Sequence, residues 1–161
     1  MRPVLFDIDK LPWNQHLPRG WKTTKLKHVS EIRFSGVDKH TVEGEASVRL
    51  CNYLDVYRNE RITPSMEFMA ASASPDEVRR FALQSGDVLI TKDSEAWTDI
   101  AVPAVVDGEF DGVLCGYHLA MIRPDPGQLD SRFLARAFQA VGIREQFHIE
   151  GERNHTIRFV G

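Results

Sequence analysis

Apolar residues recur along the chain at spacings that predict short strands separated by short helices. Ala46–Cys51 alternates apolar and polar side chains, as a half-buried strand does. Residues 87–91, 100–106 and 118–123 are apolar runs of strand length. Pro103 has no backbone N–H to donate, which predicts an edge position for the second of these strands.

Two segments carry the start signals and the spacing of helices. In residues 74–83, Ser74 and Glu77 form a capping box and Pro75 occupies the first helical position. In residues 131–141, which Asp130 caps, the apolar residues lie on one helical face. One or two further helical turns are expected at 144–149, whereas the polar, glycine-containing segment 33–45 predicts a loop or an irregular hairpin.

These elements lack regular βαβ spacing, so the predicted fold is a single α+β domain over residues 1–161. Its sheet is expected to be curved, with mixed or mostly antiparallel pairing. The predicted core consists of twelve residues: Trp21, Leu26, Val48, Leu50, Phe81, Val88, Ile90, Leu119, Met121, Phe133, Leu134 and Phe138.

Composition adds the expected compartment and the distribution of charge. No apolar run reaches the roughly 20 residues that span a bilayer, and acids interrupt the apolar N-terminus, so we expect a cytoplasmic protein. Cys51 and Cys115 lie in strand-like runs and are interpreted as buried free thiols.

Net charge is −3, but residues 1–62 carry 11 Lys and Arg against 8 Asp and Glu, whereas 63–161 carry 9 against 15. A phosphate-facing surface is therefore expected in the N-terminal third.

Most catalytic chemistries lack their motifs in this sequence. The histidines have no metal-ligand spacing, and no glycine-rich loop indicates a nucleotide or S-adenosylmethionine. Cys115 and His118 would point to opposite faces of a strand, which argues against a cysteine nucleophile. One enzymatic alternative stays open, a magnesium-dependent nuclease that uses Asp87, Asp93 and Glu95.

Polar side chains instead cluster in two predicted loops, at 52–59 and 92–95, with the amides, acids and basic groups that read base edges in DNA. Four segments in order carry a resemblance: LPRGWKTTKL (17–26), VRLCNYLDVYRNERI (48–62), SGDVLITKDSE (85–95) and LCGYHLAMIRP (114–124). The chain resembles a target-recognition domain from the DNA-specificity subunit of type I restriction–modification systems.

The resemblance implies a DNA reader without catalytic residues or a cofactor. In that family each recognition domain reads one half of a bipartite site in double-stranded DNA, and long spacer helices dock methyltransferase subunits, which restriction subunits join. We expect this chain to be the N-terminal such domain, because LPRGWKTTKL lies near its start. We expect it to end before the spacer helix, because no sustained heptads occur. A protein-interaction module that binds a methyltransferase without binding DNA is a further alternative.

The same resemblance, together with the side-chain chemistry, selects candidate contacts. Lys22, Lys25 and Lys27 are expected to contact phosphates. The candidate DNA-binding residues are Arg49, Asn52, Tyr57, Arg58, Asn59, Lys92, Asp93 and Ser94.

Overall fold

The computed structural model describes residues 17–154 of the chain, with side chains described as far as Phe147. The strands in this range are β1 (Ser30–Phe34), β2 (Ala46–Cys51), β3 (Arg61–Ile62), β4 (Met69–Ala73), β5 (Val88–Thr91), β6 (Pro103–Val106), β7 (Val113–Cys115) and β8 (Leu119–Pro124). The α-helices are α1 (Tyr53–Tyr57), α2 (Pro75–Phe81), α3 (Ser131–Gln139) and α4 (Val141–Asn154), with 3₁₀ turns at Leu26–His28 and Trp97–Asp99.

The described strands form two mixed sheets. Five strands lie in the order β1-β8-β5-β6-β3, with every pair antiparallel except β3 and β6. Three more lie in the order β4-β2-β7, in which β2 and β7 are parallel. The predicted α+β class with mixed pairing is confirmed, although the strands divide between two sheets, which the segment after α2 bridges.

The predicted elements match the observed ones closely. β2 has the predicted bounds, and β5, β6 and β8 differ from them by one to three residues. Pro103 begins β6 and pairs with Ile90 of β5, whereas β3 pairs only with Val105 and Val106. On the side away from β5, the Pro103 half of β6 therefore borders no described strand. The Ser74–Glu77 capping box of α2 is present, and the Asp130 carboxylate accepts from the Phe133 N–H at 2.8 Å. α4 is longer than predicted.

The core forms two clusters on the two faces of the larger sheet, and nine of the twelve predicted core residues are buried there. Leu26 packs against the second cluster and is only partly buried. Trp21 and Phe133 were predicted wrongly, since they are 57% and 48% exposed. α3 presents Leu134 and Phe138 to the sheet, so Phe133 lies to one side and its ring contacts Trp21 at a centroid distance of 5.7 Å.

An ion pair in the larger sheet, between Asp87 and Arg123, holds the segment that bridges the two sheets. The Asp87 carboxylate is 1% exposed and accepts from Nε and Nη2 of Arg123 at 2.7 and 2.8 Å. The same carboxylate accepts from the Gln84 N–H, and Arg123 Nη2 also donates to the Ala82 carbonyl. Ala82 in turn forms a β-bridge with Leu114 of the smaller sheet. Asp87 raises the pKa of Arg123, chiefly through their hydrogen bond, so the guanidinium stays charged.

Helix length and the state of the cysteines can be read directly from the described residues. No helix in residues 17–154 has the length and apolar character to cross a bilayer. Cys51 and Cys115 are free and fully buried, as predicted, and lie opposite each other in the β2–β7 register. Burial raises the pKa of both thiols, and the proximity of each thiol to other acidic groups raises it further.

Replacement of Asp87 with alanine is predicted to destabilise the domain by about 3 kcal/mol, because an unpaired guanidinium and an unsatisfied N–H remain. Urea denaturation followed by circular dichroism measures the change in stability. Asp76 provides the control, since its ion pairs with Arg79 and Arg80 are exposed and its replacement should cost less than about 1 kcal/mol. Equal unfolding midpoints for the Asp87 variant and the wild type would contradict the role of the pair.

The cysteines are predicted to be unreactive in the folded domain. At about pH 8.5 an ordinary thiol is half ionised, whereas Cys51 and Cys115 keep their protons because burial raises their pKa. Ellman's reagent should therefore label both thiols only after unfolding. Stability should also fall as pH rises above about 8.5, since the unfolded thiols release protons that the folded ones retain. Rapid labelling of the native protein would contradict this prediction.

Candidate nucleic-acid interface

Three segments that are distant in sequence meet where strands β2, β5 and β7 end and β8 begins. The Gly116 N–H donates to the Cys51 carbonyl at 2.9 Å, and the Lys92 N–H donates to the His118 carbonyl at 2.8 Å. These backbone bonds bring the segments 52–53, 92–94 and 117–118 together. We call their side chains the loop-end surface: Asn52, Tyr53, Lys92, Asp93, Ser94, Tyr117 and His118.

Charges within the loop-end surface are paired and partly shielded. Asp93 lies 3.3 Å from Lys92 Nζ and 3.4 Å from His118 Nδ1. Lys92 Nζ also lies 4.9 Å from the centre of the Tyr117 ring and 3.5 Å from the Ser35 carbonyl. Only 13% of the Lys92 side chain is exposed, compared with 53% for His118. Lys92 and Asp93 therefore hold the Tyr117–His118 pair, which forms the outer part of the surface.

The backbone at Tyr117 and His118 is closely constrained. His118 adopts φ +67°, a left-handed conformation that is uncommon for a side chain of this size. Gly116 precedes the pair, and a Cβ there would lie 2.8 Å from the Cys51 carbonyl oxygen and 3.0 Å from Asn52 Oδ1. Only glycine allows this close approach, so Gly116 sets the position of the aromatic pair relative to Asn52.

A shallow hollow of about 160 Å³ lies beside these residues. Its walls include the rings of Tyr53 and Tyr117, and Lys39 and Asn52 add an amine and an amide. The sequence-based candidates did not include Lys39, Tyr53, Tyr117 or His118. The available signal was the Gly116–Tyr117 pair just before the predicted strand 118–123, because segments that connect strands often carry functional side chains.

The segment 52–57, which was predicted to be a loop, begins with Asn52 and continues as helix α1, so that prediction was wrong. The Asn52 N–H donates to the Asp55 carboxylate at 2.7 Å, which satisfies a donor at the helix start, and Val56 faces the core. Tyr53 and Tyr57 stack one turn apart at 5.5 Å, and the Tyr53 hydroxyl lies 3.4 Å from Ser94 Oγ. The strand-like alternation of β2 was taken to continue past Cys51, and the helix was therefore missed, although Asn-x-x-Asp is a capping pattern.

The end of α1 carries further candidate residues. Tyr57, Arg58 and Asn59 are exposed, and Asn59 Nδ2 donates to the Asp55 carbonyl at 2.8 Å. Asp99 raises the pKa of Tyr57 by its charge and by a hydrogen bond, so the Tyr57 hydroxyl keeps its proton. α1 thus connects the loop-end surface at its start to an exposed Arg58–Asn59 turn at its end.

Arg49 and the N-terminal lysines lie elsewhere. The Arg49 guanidinium donates to the Asp111 carbonyl at 2.7 Å, at the opposite end of β7 from Gly116. Lys22, Lys25 and Lys27 are exposed and precede β1. The far end of β1, at Phe34, pairs with Ala120 near the loop-end surface, so about 17 Å of strand separates the two regions.

The carboxylates of the nuclease alternative do not converge. Asp87 precedes β5 and Asp93 follows it, so about 20 Å of extended backbone separates them. Asp87 is also buried in its pair with Arg123. In the described part of the chain, no group of three or more His, Cys, Asp or Glu residues is placed to hold a metal ion. The arrangement therefore offers no shared magnesium site that includes Asp87.

Comparison with known proteins finds a likeness in fold. The sequence matches no protein-family profile and no curated protein. The fold is similar to that of a chain in a solved structure on complex assembly and conformational transition of the type I R-M system, with a TM-score of 0.52 and 18% identity. The match covers 89% of this chain and 32% of the other, so this chain spans about a third of its length. At this identity the likeness shows a shared fold.

Replacement of Gly116 with alanine is predicted to displace the Tyr117–His118 pair, since the new Cβ would overlap the Cys51 carbonyl. Nuclear magnetic resonance shifts should change around residues 52–53, 92–94 and 117–118, with stability reduced by about 1–3 kcal/mol. Gly36 is a matched control, because a Cβ there meets no atom within 4 Å. Unchanged shifts at residues 117–118 would show that the turn does not need a glycine.

Proposed function

We propose that this domain binds double-stranded DNA in a sequence-dependent manner, as a recognition domain of a type I restriction–modification system. Convergence of the segments 52–53, 92–94 and 117–118 at one sheet end carries the proposal, because it presents polar and aromatic groups on rigid strands. The fold likeness to a chain of a type I R-M structure supports the choice of system. The side-chain chemistry supports DNA as the ligand.

The polar groups at the two ends of α1 suit base edges in the major groove. Arg58 can donate two hydrogen bonds to guanine, and Asn59 or Asn52 can pair with the N6–N7 edge of adenine. His118 and Ser94 offer single hydrogen bonds, and Tyr117 offers an apolar edge for a thymine methyl group. Asp93 can accept from a cytosine amine, although its present partners, Lys92 and His118, would then have to rearrange.

Phosphate contacts in this proposal come from several regions. Lys92 belongs to the loop-end surface, and Lys39 lines the hollow beside it. Arg49 and the lysines 22, 25 and 27 lie at other edges of the domain, and they reach phosphates only if the duplex extends over those edges. Because the chain carries a net charge of −3, affinity depends on where these cations lie. We therefore expect weak, salt-sensitive binding by the isolated domain.

In the proposed complex this domain supplies recognition and other subunits supply the chemistry. The methyltransferase and restriction subunits would act on DNA that this domain positions, with a second recognition domain reading the other half of the site. The chain itself needs no cofactor in this scheme.

Selection from a library of duplexes with a randomised central segment tests the proposal. The wild-type domain should enrich a short consensus, and replacement of Arg58 or Asn59 with alanine should relax one position at a cost of about 1–3 kcal/mol. His118→Ala should relax a different position. Arg79→Ala on α2 is the control, since that arginine is exposed and its helix contributes no residue to the loop-end surface.

Three other outcomes would contradict the proposal. A wild-type domain that retains no duplex at low salt is not a DNA reader. If a domain that retains no duplex captures a methyltransferase subunit stably, the result would favour the interaction module. Magnesium-dependent cleavage that disappears on replacement of Asp93 or Glu95 would favour the nuclease alternative.

A further inference from the structure

A second groove carries a cluster of arginines outside the loop-end surface. It lies between α3 and the strand edge formed by β3 and β6, and it has a volume of about 290 Å³. Pro103, Val105 and Ala135 contribute apolar lining, and the arginines at 61, 132 and 136 line the same groove. We call it the arginine groove.

The helical repeat explains how two of these arginines share the groove. Arg132 and Arg136 are one turn apart on α3, and both are exposed, whereas Leu134 and Phe138 face the core. Arg61 is exposed on β3, across the groove. Two different elements therefore present guanidinium groups towards the same space.

Charge in the groove is positive and readily available to a ligand. Arg136 lies 3.4 Å from Glu60, in a pair whose side chains are 69% and 68% exposed, and Arg61 pairs with Asp107. Because both members of the Arg136–Glu60 pair are exposed, that pair contributes little free energy, so an anion can replace the Glu60 carboxylate as partner. The three guanidinium groups and two carboxylates leave a net positive charge.

The arginine groove is continuous with the proposed reading surface. α1 ends at Tyr57, the exposed Arg58–Asn59 turn follows, and Glu60 and Arg61 then line the groove. A duplex whose base edges meet Arg58 and Asn59 would therefore bring its sugar–phosphate backbone towards Arg61. Guanidinium groups match phosphate oxygens in geometry as well as in charge.

We infer that the arginine groove holds a phosphodiester of the DNA backbone that flanks the bases read by the Arg58–Asn59 turn. This inference rests on the proposed function, and it gives Arg132 and Arg136 a role in affinity without a role in sequence choice. Phosphate contacts fix the register of a protein on DNA and carry no base information.

Salt dependence of binding provides the test. The wild type is compared with a double variant, Arg132→Ala and Arg136→Ala. For each protein, fluorescence anisotropy measures the affinity for a duplex selected by the wild type at a series of salt concentrations. The slope of log affinity against log salt should become shallower by about 0.9 for each phosphate that the variant no longer neutralises. Affinity for selected and random duplexes should fall by the same factor, so the consensus is unchanged.

Two further variants make the test specific. Replacement of both arginines with lysine should restore most of the slope, because lysine keeps the charge and lacks only the planar fork of donors. Arg79→Ala, Arg80→Ala on α2 is the matched control, since it also removes two exposed arginines and should leave the slope unchanged beyond general charge effects. Thermal unfolding checks that each variant is folded.

The outcomes separate this inference from the proposed function. If the wild type binds DNA and the double variant keeps its slope and affinity, the groove does not hold a phosphate. If an acidic protein partner requires Arg132 and Arg136 while DNA binding does not, the groove is a protein contact and the inference is wrong. If the wild type binds no duplex at all, the proposed function itself fails.

Discussion

The buried pair between Asp87 and Arg123 is the interaction on which the arrangement of this domain depends. It joins β5 to β8, and its remaining hydrogen bonds hold the 82–84 segment that pairs with β7 of the smaller sheet. A charge this deeply buried is tolerated only when it is paired and fully hydrogen-bonded. The pair therefore ties the segment that bridges to the smaller sheet onto the larger one, and side chains contributed by both sheets form a common surface.

The loop-end surface lies at the other end of the same two strands. Val88 pairs with Ile122 near the ion pair, and Thr91 pairs with Leu119 three residues further along. A slip of one residue would turn every side chain to the opposite face. The register fixed at the buried end therefore determines that Lys92 meets His118 at the exposed end, where the Lys92 N–H donates to the His118 carbonyl.

The sequence predicted the parts of this structure that depend on local patterns. Strands β2, β5 and β8, the caps of α2 and α3, and the buried cysteines follow from spacing and cap chemistry. α1 was missed because Val56 is its only fully buried residue, which leaves almost no helical periodicity. Phe133 was misplaced because an apolar helical stripe does not show which part of its width faces the sheet.

The candidate site was only partly predictable because it is made by pairing across long sequence distances. Lys92, Asp93 and Ser94 were identified from their residue types, whereas Tyr117 and His118 gain significance only through contacts with Lys92 and Asp93. Arg49 has suitable chemistry, but its strand position directs its guanidinium to Asp111. Side-chain type therefore identifies candidates, and sheet register decides which of them meet.

Helix α1 relates the two proposed contact regions to the dimensions of DNA. Its five residues span about 7.5 Å, with the loop-end surface at the start and the Arg58–Asn59 turn at the end. The major groove of B-DNA is about 12 Å wide. In the proposed complex, groups at both ends of α1 would thus fit within one groove, and the arginine groove beyond Arg61 would lie beside the bordering phosphates. One short helix, held by the strands on either side of it, sets this spacing.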